Sequence, residues 1–164
     1  MKQLQLLMLL FFVQNIAVSQ TIELDPTTQK YTYTEIMEFD SISKTDLYSN
    51  TLKWVSTTYV SPETVIIFSD ANAGSIVLKA NFNCQTYAIA GGYMKYRLQI
   101  DFKENKIRCS FVDFDYSTQT GNLTPFESDL IFKKQQLLSD TYDNIQNLLA
   151  SLKASIVQTS SSDW

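Results

Sequence analysis

Histidine is absent from the 164 residues, and that absence limits the chemistry open to the chain. Ser–His–Asp triads, Cys–His dyads, imidazole-ligated zinc and the usual proton shuttle near neutral pH all need the missing ring. Cys84 and Cys109 are the two cysteines, a poor zinc set without nitrogen partners. Gly91-Gly92 is an isolated pair, without the spacing of a phosphate loop, and reads as a turn. No cofactor and no metal site is expected.

Carboxylates are the acid–base groups that remain. Asp113 and Asp115 are two apart, hence on one face if a strand runs through them, with Asp101 nearby. Hydrolysis of a glycoside needs two carboxylates at a set separation in a cleft; the plainer alternative is solvated charge at a strand end. Asp113-x-Asp115-x-Ser117 also opens like a calcium loop, but Thr118 occupies the position that needs glycine and the closing Glu is missing. Lys79, Lys95 and Arg97 alternate with apolar residues and so gather on the polar face of a sheet. Such a patch either binds an anion or acidic partner or is simply solvated. Tyr31, Tyr33, Tyr93 and Tyr96 either line a ligand groove or serve as strand and core residues.

Positioning these groups falls to elements that the periodicity defines. Tyr31 to Phe39 is rich in β-formers and reads as a strand. Ser43-Lys-Thr-Asp46 supplies a helix N-cap with an acid three residues on. Tyr48, Leu52, Val55 and Tyr59, flanked by Leu47 and Trp54, then mark a helical stripe that ends at Ser61-Pro62. Thr64 to Phe68 is a compact apolar strand, followed by a turn at Asp70 to Gly74. Ile76, Leu78, Ala80 and Phe82 alternate with Val77, Lys79 and Asn81. Met94, Tyr96, Leu98, Ile100 and Phe102 alternate more cleanly with Lys95, Arg97, Gln99 and Asp101, and after a hairpin loop at Lys103–Lys106, Ile107, Cys109 and Phe111 resume the apolar face. Residues 117–128 read as a polar loop. Leu138, Tyr142, Ile145, Leu149, Leu152 and Ile156 form the stripe of a long final helix. The expected fold is α+β: an antiparallel meander sheet with two helices packed on one face, in the order β-α-β-β-β-β-α.

That register decides the fate of the cysteines. A symmetric Lys103–Lys106 hairpin sets Cys109 opposite Ile100, and a symmetric loop near residue 88 sets Cys84 opposite about residue 92. The two sulfurs then lie about 26 Å apart along the strands, whereas disulfide Cα atoms must approach within about 7 Å. No intramolecular disulfide is expected.

The first 19 residues read as a secretory signal peptide: Lys2, an apolar run over Leu4–Val13, and small residues at Ala17 and Ser19, with cleavage between Ser19 and Gln20. The run falls short of the roughly 20 residues a membrane span requires, and no transmembrane segment follows. Residues 20–158 are expected as a single domain and 159–164 as a flexible tail. Loss of Lys2 with the leader takes the net charge from −4 to −5, the wrong sign for a nucleic-acid partner. The product is expected in the periplasm or outside the cell.

Tyr31-Thr-Tyr-Thr-Glu35, Ser43-Lys-Thr-Asp-Leu-Tyr48, Trp54, Asp70-Ala-Asn-Ala-Gly-Ser-Ile76, Lys79-Ala-Asn-Phe82, Tyr93-Met-Lys-Tyr-Arg-Leu98, Arg108 and Phe111-Val-Asp-Phe114 together resemble the exported Bacteroidota proteins grouped as a domain of unknown function with a TATA-binding-protein-like (TBP-like) fold. The resemblance covers roughly residues 30–116. It implies the same element order and no activity. It also implies that Asp40-Ser41-Ile42 fits the pattern by which Bacteroidota O-glycosylate exported proteins, with Ser41 as the acceptor. The expected role is a non-enzymatic binding or interaction module of the cell envelope, with a small anionic ligand or an envelope protein as partner. Two alternatives stand beside it. One is a His-free hydrolase working through its carboxylates, which a buried acid of raised pKa favours. The other is an assembly subunit, which predicts an exposed apolar patch or a stable oligomer.

Overall fold

A computed structural model describes residues 21–84, 92–118 and 121–161. The leader and the Ser19–Gln20 junction lie outside the described residues. Seven strands and three helices follow one another as β1 (Glu23–Leu24), β2 (Tyr31–Glu38), α1 (Lys44–Thr58), α2 (Pro62–Val65), β3 (Ile66–Asp70), β4 (Ser75–Cys84), β5 (Gly92–Lys103), β6 (Lys106–Thr118), β7 (Leu123–Pro125) and α3 (Lys134–Ser161). The strands form one antiparallel sheet in the order β1-β2-β6-β5-β4-β3, with β7 pairing β6 beyond the end of β2. The α+β meander with two helices on one face is as the alternation predicts, with β1, α2 and β7 added as short elements.

The pairing register matches the expected one. Cys109 lies opposite Ile100 and Cys84 opposite Gly92, and both thiols are free and buried. Burial pushes the Cys84 thiol up to about 11 and raises that of Cys109 as well, so both stay protonated at neutral pH.

Alternating residues of β4, β5 and β6 carry the core: Ile76, Leu78, Met94, Leu98, Ile100, Ile107 and Phe111 are fully buried beneath α1 and α3. Ser43 caps α1 as its spacing predicts, its Oγ accepting from the Asp46 N–H at 3.1 Å. The buried stripe of α1 runs through Leu47, Thr51, Trp54 and Val55. Tyr48, Leu52 and Tyr59 of the expected stripe sit at its margin. The flanking Leu47 and Trp54 are thus buried together with Val55 of the expected stripe. Trp54 Nε1 donates to Ser151 Oγ at 3.1 Å, tying α1 to α3. At the β3–β4 turn, Gly74 adopts φ +68 with the end of the Lys44 side chain against it, a left-handed backbone that glycine adopts without strain.

Three segments differ from the sequence expectation. Residues 62–65 form a helical turn, and the strand begins two residues later than Thr64, at Ile66. The polar stretch 117–128 is not a single loop, because β6 runs to Thr118 and β7 pairs back onto it. Phe126 anchors this return: it is buried, its N–H donates to the Phe114 carbonyl at 2.9 Å, and its ring meets that of Tyr31 edge-on at 5.1 Å. α3 continues to Ser161, past the expected domain boundary at 158.

The departure with most consequence lies inside β6. Pairing with β5 slips by one residue between Lys95 and Arg97, and Asp113 takes a left-handed backbone with φ 53. This is a β-bulge: one extra residue on β6, a local bend, and a reset of the inward–outward alternation. Strict alternation from Phe111 would drive Asp113 into the core. With the bulge, Phe114 and Tyr116 turn inward instead. Truncation of Phe114 to Ala should therefore cost about 3–4 kcal/mol, read as a lower urea midpoint with an unchanged slope.

Candidate functional site

Outward-facing residues of β4, β5 and β6 form the floor of a cleft of about 510 Å³ on the open face of the sheet. Lys79 comes from β4, Lys95 and Arg97 from β5, and Asp113 and Asp115 from β6. The rims are Ile67 of β3 on one side and Pro125 and Glu127, at and just after β7, on the other, with Lys30 entering from the segment before β2. The three cations singled out by alternation are thus brought together, Lys79 directly opposite Arg97 and Lys95 directly opposite Asp115.

Asp113 organises the charge. Its Oδ1 lies 2.6 Å from Lys30 Nζ and its Oδ2 lies 2.7 Å from Arg97 Nη2. The hydrogen bond from Lys30 and the nearby cations hold its carboxyl below the ordinary value of 3.8, and the same bond raises the Lys30 ammonium. Asp113 is therefore ionised near neutral pH and is no proton donor. Lys79, Lys95 and Asp115 make no side-chain hydrogen bond or ion pair among the described residues. Glu127 accepts the Tyr31 N–H at 3.0 Å.

The other candidates disperse. Asp101 pairs with Arg108 at 2.7 Å, away from the cleft. Burial works to raise its pKa, but hydrogen bonds from Gln99, Arg108 and Ser75 outweigh burial and lower it. After the bulge at Asp113, residues 114–118 continue within strand β6, whereas a calcium loop must wrap around its ion. The four tyrosines do not share a groove: Tyr33 and Tyr96 are in the core, Tyr31 packs on Phe126, and Tyr93 is exposed on the outer face. Ser41 is exposed in the β2–α1 loop with φ 57. Missed by the sequence reading were Lys30, Ile67, Pro125 and Glu127. Lys30 lies 83 residues from its partner Asp113, in a polar lead-in that gives no sign of it.

An antiparallel sheet backed by two helices on one face and open on the other defines an α+β domain of the TBP-like class. The chain belongs to the family described as a domain of unknown function (DUF4468) with TBP-like fold, whose model matches residues 33–117. Two crystal structures share the fold. A TBP-like protein from Parabacteroides distasonis is 16% identical with a TM-score of 0.71, over 82% of this chain and 96% of that one. A DUF4468 family protein from Bacteroides ovatus is 13% identical with a TM-score of 0.65, over 85% and 91% of the two chains. A comparison with curated proteins gives no match.

The Asp113 pairs are a third to a half exposed, so each contributes under about 1 kcal/mol after screening. Because the folded pKa is depressed, that contribution is complete above the ordinary carboxylate range and fades as pH falls through the folded value. Asp113→Asn keeps a residue tolerant of left-handed backbone and removes both pairs. It should lower stability by under about 1 kcal/mol at pH 6. It should also show a shallower acid decline below about pH 4, measured by urea unfolding across pH.

Proposed function

We propose that this protein is an exported, non-enzymatic binding domain of the cell envelope, and that the cleft on its open sheet face takes an anionic ligand. The observation that carries the reading is the pair Lys79 and Lys95, two ammonium groups without a partner among the described residues, set diagonally on neighbouring strands in one cleft. Asp113 is already held by Lys30 and Arg97, and Asp115, opposite Lys95 across the strands, forms no ion pair with either lysine. A concave site of this size with a few convergent charged groups is typical of small-ligand binding.

Export is supported by the leader pattern of residues 1–19. Within the described residues no helix is long and apolar enough to cross a membrane. Ser41 is part of the same reading, as an exposed acceptor for O-glycosylation. The hydrolase alternative needs one carboxyl kept protonated beside an ionised one, and Asp113, held ionised, cannot be that acid. For an assembly subunit, β3 offers a sheet edge with half-exposed Ile67 and Phe68. Its pairing with β4 is irregular between Ile66 and Phe68, and such irregularity blunts an edge against strand addition.

Titration with inorganic phosphate at low ionic strength, followed by ¹H–¹⁵N NMR, tests the reading. Shifts should centre on strands β4 and β5. The Lys79→Ala/Lys95→Ala double variant should bind about tenfold or more weakly, the effect of losing two charge-assisted hydrogen bonds. Equal binding by the variant would contradict the assignment.

A further inference from the structure

The cleft asks for more than a negative charge. Lys79 and Lys95 stand on β4 and β5, but Asp115 stands on β6, opposite Lys95 on one side and Pro125 on the other. Its carboxylate has no hydrogen bond or ion pair among the described residues. Lys79 and Asp115 lie two strand spacings apart and two residues offset along the strands, about 12 Å between backbones. A lone phosphate or acetate held by the lysines leaves Asp115 unmet. A ligand that satisfies both ends must carry an anion at one end and, across the breadth of a small ring, groups that donate hydrogen bonds to a carboxylate.

Ammonium donors are disfavoured there, because Lys95 lies directly opposite Asp115 and repels a second cation. Neutral hydroxyl donors suit it, since hydroxyl-to-carboxylate bonds are short and strong. Each rim carries one apolar residue, Ile67 beyond the lysines and Pro125, beside Glu127, beyond Asp115, surfaces against which the C–H face of a ring can lie. Resting on the anion-binding reading above, we infer that the cleft binds an acidic sugar, its carboxylate or phosphate held by Lys79 and Lys95 and its hydroxyls donating to Asp115. Arg97 and Lys30, bound to Asp113, frame the site without being spent on the ligand.

Isothermal titration of the purified protein with two matched pairs tests this: D-glucuronate against acetate, and D-glucose 6-phosphate against inorganic phosphate, with D-glucose as the uncharged control. In at least one pair the sugar should bind about tenfold tighter than its simple anion, and glucose should not bind. Asp115→Asn should weaken that sugar about five- to tenfold, the margin of charged over neutral hydrogen bonds, and leave the simple anion unchanged. If sugar and simple anion bind alike in both pairs, or Asp115→Asn leaves the sugar unaffected, the ligand class is wrong while anion binding stands. If no anion binds, or glucose binds as well as the acidic sugars, the anion-binding reading fails too.

Discussion

A single extra residue in β6 settles which side chains the sheet buries and which it offers to solvent. Up to Phe111 the strand alternates with core residues at odd positions, and continued strictly it would bury two carboxylates. Burying an unpaired carboxylate costs far more than a strained backbone angle. The left-handed turn at Asp113 is the cheaper solution, and it reverses the phase. Phe114 and Tyr116 then enter the core, and Asp113 and Asp115 emerge on the open face, next to the cations of β4 and β5.

The consequences reach distant segments. Asp113, once outside, draws Lys30 from the chain before β2 and Arg97 from β5 into one cluster. Phe114, once inside, offers its carbonyl to the N–H of Phe126, which fixes β7 beside the far end of β6. The floor and one rim of the cleft thus follow from one local irregularity, while α1 and α3 seal the opposite face with the Trp54–Ser151 bond between them. One sheet face is packed into the core, and the other carries the open cleft.

Much of this was legible in the residues. Period-two alternation of Met94 to Phe102 and Ile76 to Phe82 gave the strands, their register and the separation of the cysteines, because a half-buried sheet repeats a strong local rule. Lys79, Lys95 and Arg97 were placed together by the same rule. The bulge was harder, since alternation presumes that a strand has no extra residue. Its trace is the spacing Phe111, Phe114, Tyr116, a step of three before the step of two resumes. Phe126 sat alone in a polar stretch and looked like loop; only its pairing partner reveals it as an anchor. Lys30 and Glu127 are long-range contributions, set by the closing of the sheet and not by any local pattern.

The account turns on where an anion settles. Crystals grown in selenate and measured at the selenium edge would show this without reference to affinity. Anomalous density between Lys79 Nζ and Lys95 Nζ, with Asp113 still bridging Lys30 and Arg97, is the predicted result. A cleft left empty at saturating selenate, with density at other lysines such as Lys103 or Lys153, would contradict it.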